Sequence, residues 1–343
     1  MSAKGLRKNI SVAMMAAALA AFANPSAEAQ TGAIRIAVTS KSLIFAPVFV
    51  AQRRGMFEKQ GIKVEIVDAG AGTKVAAGLA GGSIAAAMMA IDHVFAATTR
   101  DQKWVMFGQL MNKEPYTFAM RKDIADAKGI SADSPYSVRL KALEGTTIAI
   151  SSLGSGTHLA LASAMAGVGL SADKVRWVPI GEPLAIVTAV ERKQVDVGGR
   201  APGPAEMLVD RGTGVMVVDF SKDQLGKPYP TIVMATTERQ LKDRAQDLRK
   251  LTLAIREAIN FTREHPDDAA KSIREDFKFM EDTAFKDGMA FDLRALPPDV
   301  LITEEEFRLA VEQSNSPYLL SVRRGVKVSD KYDDAVDINI GAK

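Results

Sequence analysis

The chain has 343 residues, of which 47% are hydrophobic and 25% charged, with a formal net charge of +3. That balance offers no basic field of the kind that nucleic-acid binding requires. Cysteine is absent, which excludes disulfides, thiolate metal sites, a cysteine nucleophile and a lipid anchor on an N-terminal cysteine.

Residues 1–29 open with Lys4, Arg7 and Lys8, run through an apolar block from Ile10 to Ala23, and end on Ala27-Glu28-Ala29. This is the charged, apolar, small-x-small order of a secretory signal, and the block is too short to span a bilayer. Cleavage near Ala29 removes three basic residues and one acidic one, which brings the remainder to about +1. No later apolar run is long enough to span a membrane, so the mature chain is expected to be soluble. An exported protein with no lipid anchor points to a Gram-negative periplasm.

From residue 34 the pattern alternates strand and helix. Ile34–Val38 reads as a strand, followed by a loop with Ser40 and Ser42 and a helix near Ala46–Arg54. Val64–Val67 is the second strand; Gly70-Ala71-Gly72-Thr73 opens a helix that ends near Gly81-Gly82, and Ile84–Met88 is a third strand. The order then recurs. Thr146–Ile150, Val175–Val178 and Val195–Val197 read as strands, with helices through about Ala166 and Arg192 between them. Strands separated by helices of this length predict parallel sheets with helices on both faces.

The two stretches superimpose. An offset of 111 lays Val64 on Val175, Gly70 on Gly181 and Ile84 on Val195, and one residue of slip lays Ile36 on Ile148 and Ser40 on Ser152. Two similar α/β lobes are therefore predicted. Extended segments at Trp104–Leu110 with Pro115–Met120, and at Tyr229–Thr236, fall where the chain would leave and re-enter the first lobe. The expected division is a discontinuous first lobe, residues 30–116 with 229–343, and an inserted second lobe, residues 117–228. Two crossovers would make a hinge suited to closing on a ligand.

The last third reads as helical. Leu241, Leu248, Leu251, Ile255 and Ile259 keep nearly a 3.6 period within Glu238–Glu264. Pro266 opens a helix, and Thr303 with Glu306 forms a capping box.

Loops that enter helices present free N–H groups and a positive dipole end, and in parallel α/β lobes they gather at the carboxyl ends of the strands. Three loops have the right composition: Ser40–Ala46, Gly70–Thr73 and Ser151–Thr157. The last, Ser-Ser-Leu-Gly-Ser-Gly-Thr, supplies hydroxyls and close backbone approach. It has neither Walker nor Rossmann spacing. It reads as a ligand loop or as a plain cap made by Ser155 or Thr157. Arg200, just past a short strand and beside glycines, is a candidate grip for a carboxylate or sulfonate, or else a surface arginine or one half of an ion pair. Asp92 and His93 follow the matching strand of the first half. Asp92 reads as a helix cap or a ligand contact, and His93 as a ligand contact or a buried imidazole. His93, His158 and His265 are scattered, without zinc-site spacing, so no metal and no cofactor are expected.

Four segments resemble a known family in order. Arg53-Arg54-Gly55-Met56-Phe57-Glu58-Lys59-Gln60-Gly61-Ile62-Lys63-Val64-Glu65 is similar to the Gly-Leu-Phe-Glu-Lys-Glu-Gly-Leu-x-Val-Glu signature of periplasmic solute-binding proteins of the nitrate/sulfonate/taurine type. That NMT1/THI5-like group also contains thiamine-pyrimidine-precursor binders. Residues 77–84, 143–150 and 190–197 resemble its later steps. Two positions depart from the pattern: Ala85 stands where the family usually has Asp, and Lys193 where it has Gly.

The resemblance implies a two-lobed type II periplasmic-binding-protein fold and delivery of a small solute to the permease and ATPase of an ABC importer, without catalysis. By position it carries ligand contacts to Ser40, Ser42, Thr73, Asp92, Ser152, Gly156, Thr157 and Arg200. His93 and Ser155 join them from the reading of the loops. A monomer that binds a small organic anion is expected. The alternatives are an exported sensor, or an enzyme on the same fold acting on a pyrimidine. The pyrimidine enzymes of this group call for reactive cysteines, and this chain has none.

Overall fold

The computed structural model describes residues 32–70, 72–100, 102–223 and 227–322, with 324, 327, 328, 331 and 336 of the tail. The expected signal segment lies outside these residues. Ten strands follow in chain order: β1 (Ile34–Val38), β2 (Val64–Asp68), β3 (Ala86–Ala90), β4 (Trp104–Met111), β5 (Thr117–Arg121), β6 (Thr147–Ile150), β7 (Arg176–Pro179), β8 (Val197–Arg200), β9 (Gly214–Asp219) and β10 (Ile232–Thr237). They form two five-stranded sheets, ordered β2-β1-β3-β10-β4 and β7-β6-β8-β5-β9.

The sheets are built alike. In each, the first strand of the β-α-β-α-β unit lies parallel between the other two, and an antiparallel pair completes the sheet. Ile36 pairs with Ile66 and Ala86, while Ile148 pairs with Trp177 and Val197. The hydrogen-bonded register thus contains the one-residue slip between halves that the sequence comparison needs. Helices Gly72–Gly81 and Pro183–Glu191 fill equivalent places after β2 and β7.

The third strands differ from expectation. They run Ala86–Ala90 and Val197–Arg200, two residues later than the branched residues suggested. Ile84 and Val195 are buried just before the pairing begins, and pairing continues through Met88-Met89 and Gly198-Gly199. These strands are central and covered on both faces, so close fit decides their residues more than β-propensity does. A Cβ at Gly199 would stand 2.1 Å from the Phe118 ring and 2.3 Å from the Thr117 carbonyl oxygen. Arg200 is in consequence the last residue of β8 rather than the first of a loop.

The predicted helix over Glu238–Glu264 is two helices, Glu238–Asp243 and Ala245–Glu264, broken at Arg244 (φ −132°, ψ 28°). Leu248, Leu251, Ile255 and Ile259 of the longer one are fully buried in the main core, which it shares with helix Ala46–Arg53. Thr303 and Glu306 make the capping box in both directions. Helix Asp282–Ala295 ties the halves together. Its Ala295 carbonyl accepts from the Asn112 N–H at 2.9 Å, and Arg294 donates to Ser221 Oγ at 3.0 Å.

Lys193 has a positive φ of 59°, at the position where the family resemblance has glycine. The left-handed conformation costs an L-residue about 1–2 kcal/mol. Its ion pair with Asp123, at 3.3 Å, lies between two exposed side chains, and such a pair contributes little. Lys193→Gly is expected to stabilise the protein by about 1 kcal/mol, read as a higher urea midpoint with an unchanged slope.

Asp292 is fully buried in the same interlobe helix, and neither carboxyl oxygen has a hydrogen-bond partner among the described residues. Burial, with the Glu206 carboxyl nearby, pushes its pKa well above the usual carboxylate range. The neutral acid is the form the fold accepts. Its favourable effect on stability is complete below the unfolded-state pKa near 4 and is lost as pH rises toward the raised native value. Asp292→Asn removes that loss. Urea unfolding of the two proteins is expected to show the variant gaining on the parent between about pH 4 and pH 7.

Candidate ligand-binding cleft

Loops at the carboxyl ends of both sheets converge, as parallel α/β lobes require of a binding crevice. A cavity of about 50 Å³ lies there, lined by Ser40, Gly72, His93, Tyr116, Ser151 and Arg200 among others. It has room for a group the size of an oxyanion headgroup or for a few waters. On the other side of Arg200 a larger space of about 360 Å³ is lined by Lys41, Asp68, Glu182, Leu184 and Phe279.

Arg200 joins the two spaces. It is only 6% exposed, at the end of β8, and antiparallel pairing with Thr117 of β5 sets its height. Its guanidinium donates to the Gly181 carbonyl of its own half, and to Ser40 Oγ of the other half at 3.0 Å. Among the described residues no carboxylate lies within 4 Å of it; Glu182 and Asp68 act on it from farther away. Burial lowers its pKa, but an arginine keeps its proton in a protein. A buried positive charge therefore faces the cleft without a matching negative one.

The Ser151–Thr157 loop forms a hydroxyl web. Ser151 Oγ donates to Ser155 Oγ at 3.0 Å and shares a 3.1 Å contact with Thr157 Oγ1. Ser155 Oγ donates to the Ser152 carbonyl at 2.7 Å and accepts the His158 N–H at 3.4 Å as N-cap of helix Gly156–Gly167. One loop thus caps its helix and presents hydroxyls to the cleft; the two readings of it are compatible. Gly156 permits this close assembly, since a Cβ there would meet Tyr116 Oη at 2.1 Å and Ala90 Cβ at 3.2 Å.

Of the residues singled out from sequence, Ser40, His93, Ser152, Ser155, Gly156, Thr157 and Arg200 line this one cavity. His93 is pushed below the usual imidazole range by burial, and Gly72 makes room for it: a Cβ there would sit 2.2 Å from His93 Nε2. Ser42 is not brought to the same cavity. It faces a small neighbouring space beside Pro202 and Met280, and its buried hydroxyl has no partner among the described residues. Asp92 lies outside the cleft as well. Helix Ile91–Thr98 starts on Ala90 with no side-chain cap, and Asp92, in its first turn, accepts from Ser314 Oγ at 3.5 Å beside a separate chamber. The Thr73 side chain lies outside the described residues. His158 is turned from the cleft; its Nδ1 accepts the Gly154 N–H at 3.1 Å and its ring packs edge-on against Trp177.

Tyr116 has no signal in the sequence, whereas Gly72 lies within the Gly70–Thr73 loop that its composition marks. Tyr116 sits on a crossover without a motif. The signal for Gly72 was present in the Gly-Ala-Gly-Thr run, but nothing local shows that His93 fills the space above it.

Solved structures match across nearly the whole chain. One is a protein of Bordetella bronchiseptica RB50, with TM-score 0.75 and 21% identity over 90% of this chain and 96% of that one. Another is the alkanesulfonate-binding protein SsuA of Xanthomonas axonopodis pv. citri bound to MOPS, with TM-score 0.69 and 16% identity over 89% and 97%. A third is the periplasmic nitrate-binding protein NrtA of Synechocystis PCC 6803, with TM-score 0.68 and 14% identity over 90% and 86%. At these identities the likeness shows the fold, a two-lobed periplasmic-binding-protein fold. Among curated proteins, the 4-amino-5-hydroxymethyl-2-methylpyrimidine phosphate synthase of Schizosaccharomyces pombe (strain 972 / ATCC 24843) is 37% identical over 71 residues, so the match spans one fifth of each chain. The family model described as NMT1/THI5 like matches residues 43–269, well over half of the sequence, and the chain belongs to that family.

Proposed function

We propose that this protein is the solute-binding component of an ABC importer, working in the periplasm after removal of residues 1–29. It captures a small organic anion, of carboxylate or sulfonate type, between a lobe of residues 30–116 with 229–343 and a lobe of residues 117–228. It hands the anion to a permease and ATPase in the inner membrane and makes or breaks no bond.

The observation that carries this reading is Arg200. A buried guanidinium with no carboxylate within 4 Å among the described residues, and only Glu182 and Asp68 acting on it from farther away, is costly unless a counter-charge arrives. A ligand carboxylate or sulfonate can take two parallel hydrogen bonds from it. The Ser151–Thr157 hydroxyls and the N-terminus of helix Gly156–Gly167 supply further donors on the same side, and Ser40 and His93 face them from the other half. The space beyond Arg200, with Pro183, Leu184 and Phe279 in its walls, supports an organic body on the anion and disfavours an inorganic ion such as nitrate. The nitrate- and alkanesulfonate-binding neighbours support anion capture as the family's chemistry, and the partial match to a pyrimidine synthase keeps pyrimidines in the test.

The test is a thermal-shift screen on protein stripped of solute through denaturant. Sulfonates, nitrate, mono- and dicarboxylates, aromatic acids and pyrimidines form the library. A true ligand at about 1,000 times its Kd adds roughly 4 kcal/mol, on the order of 8–16 °C for lobes of this size. One organic-anion class is expected to give such a shift, and Arg200→Ala to abolish it while the unliganded variant stays folded. A shift from pyrimidines that survives Arg200→Ala would overturn the anion reading.

A further inference from the structure

A space larger than either part of the cleft lies elsewhere in the described structure. It is a half-enclosed chamber of about 410 Å³ on the other side of the crossovers. One wall is a face of helix Gly156–Gly167, at Leu159, Ala160, Ser163 and Ala164; the opposite wall is made by Ser314, Tyr318 and Leu319 of the C-terminal helices. Both crossovers reach it, through Glu114 and Tyr229, whose hydroxyl donates to Glu114 Oε1 at 2.7 Å. Tyr116 lines the cleft and Glu114 lines the chamber, two residues apart on one crossover, so the two spaces stand back to back.

The lining is specific in kind. Four aromatic rings, Tyr136, Phe220, Tyr229 and Tyr318, stand around it with aliphatic and alanine walls. The polar groups among the described lining residues are hydroxyls, an amide and carboxyls, with no lysine, arginine or histidine. Ser316 Oγ is buried at this chamber and has no hydrogen-bond partner among the described residues. A mostly apolar concavity of this size with a few convergent polar groups is the usual form of a small-molecule site.

We propose that this chamber is a second ligand site, separate from the cleft, that takes a neutral aromatic molecule carrying a hydroxyl or N–H donor. Ring stacking against the tyrosines and Phe220 supplies the contact area, and the oxygen-rich lining accepts the donor. An anion of the cleft's type is disfavoured, since among the described residues two carboxyls and no basic group line it. Burial, helped by the Asp92 carboxyl and opposed by the Tyr229 hydroxyl's hydrogen bond, lifts Glu114 to about 7, so at neutral pH the lining does not hold two full negative charges for a cation. The proposal does not rest on the cleft reading.

The probes are 2-naphthol, neutral at about pH 7, and its anionic counterpart 2-naphthoate, measured by calorimetry on the mature chain. We expect 2-naphthol to bind with a Kd below about 1 mM and 2-naphthoate not to compete with it. Ser163→Trp fills the chamber and is expected to weaken 2-naphthol at least about tenfold; Tyr318→Ala, on the opposite wall, weakens it in a protein whose fold does not depend on the new ring. Arg200→Ala leaves it unchanged, which separates this site from the cleft. The proposal is overturned if 2-naphthol fails to bind, if both chamber variants bind it as the parent does, or if its binding is lost in Arg200→Ala.

Discussion

Each sheet is completed by a strand that stands next to a crossing of the chain between the halves. β5 arrives from the first half and lies between β8 and β9; β10 returns from the second half and lies between β3 and β4. Each sheet therefore depends on a strand that has just crossed over. The crossings also hold each other. The Tyr229 N–H donates to the Asn112 carbonyl at 3.0 Å, and the Thr231 N–H to the Met111 carbonyl at 2.9 Å. Two chain segments linked in this way permit bending along one direction and resist separation, which is the mechanical property a closing cleft needs.

The same exchange sets the chemistry. β5 pairs with β8 along Thr117–Met120, and that pairing is close enough to demand Gly199. Arg200 emerges at the end of this pair, where the sheet's loops meet those of the other half. Its position is fixed by buried backbone, while its hydrogen bonds reach the Gly181 carbonyl on one side and Ser40 on the other. If the ligand is an anion, as proposed, a rigid cation between two halves would make closure and charge neutralisation parts of a single event. The desolvation that burial imposes on the guanidinium is offset most fully by an anion that arrives with its own lone pairs.

Much of this was legible because the relevant signals are local. The β-α-β-α-β order, the Thr303 capping box and the serine-rich loop each follow from residues within a few positions of one another. The errors lie where a distant partner decides. The third strands begin late because their residues are chosen by the faces above and below them, not by branching at Cβ. Arg244 breaks a helix whose apolar period runs on past it. Tyr116 and Gly72 belong to the cleft because Gly156 and His93, far away in sequence, leave space or need it. Asp92 was placed at the cleft by the repeat, yet helix Ile91–Thr98 turns it to the opposite side of the crossovers.

That last difference shows where the two halves have diverged. The offset that carries Ala86 onto Val197 carries Met89 onto Arg200 and Asp92 onto Gly203. The backbone of the repeat is kept, but the first half has a buried methionine where the second has the cation, and a carboxyl where the second has a glycine at φ 143°. Two arginines facing each other across a closed cleft would repel at short range, and an anion would have to offset both. On the proposed reading, one arginine, opposed by the neutral donors Ser40 and His93, would give an oxyanion a single charged anchor and let the other half close over it without a second desolvated charge. On the same proposed reading, the asymmetry of the site is what a repeated scaffold needs to enclose one ligand.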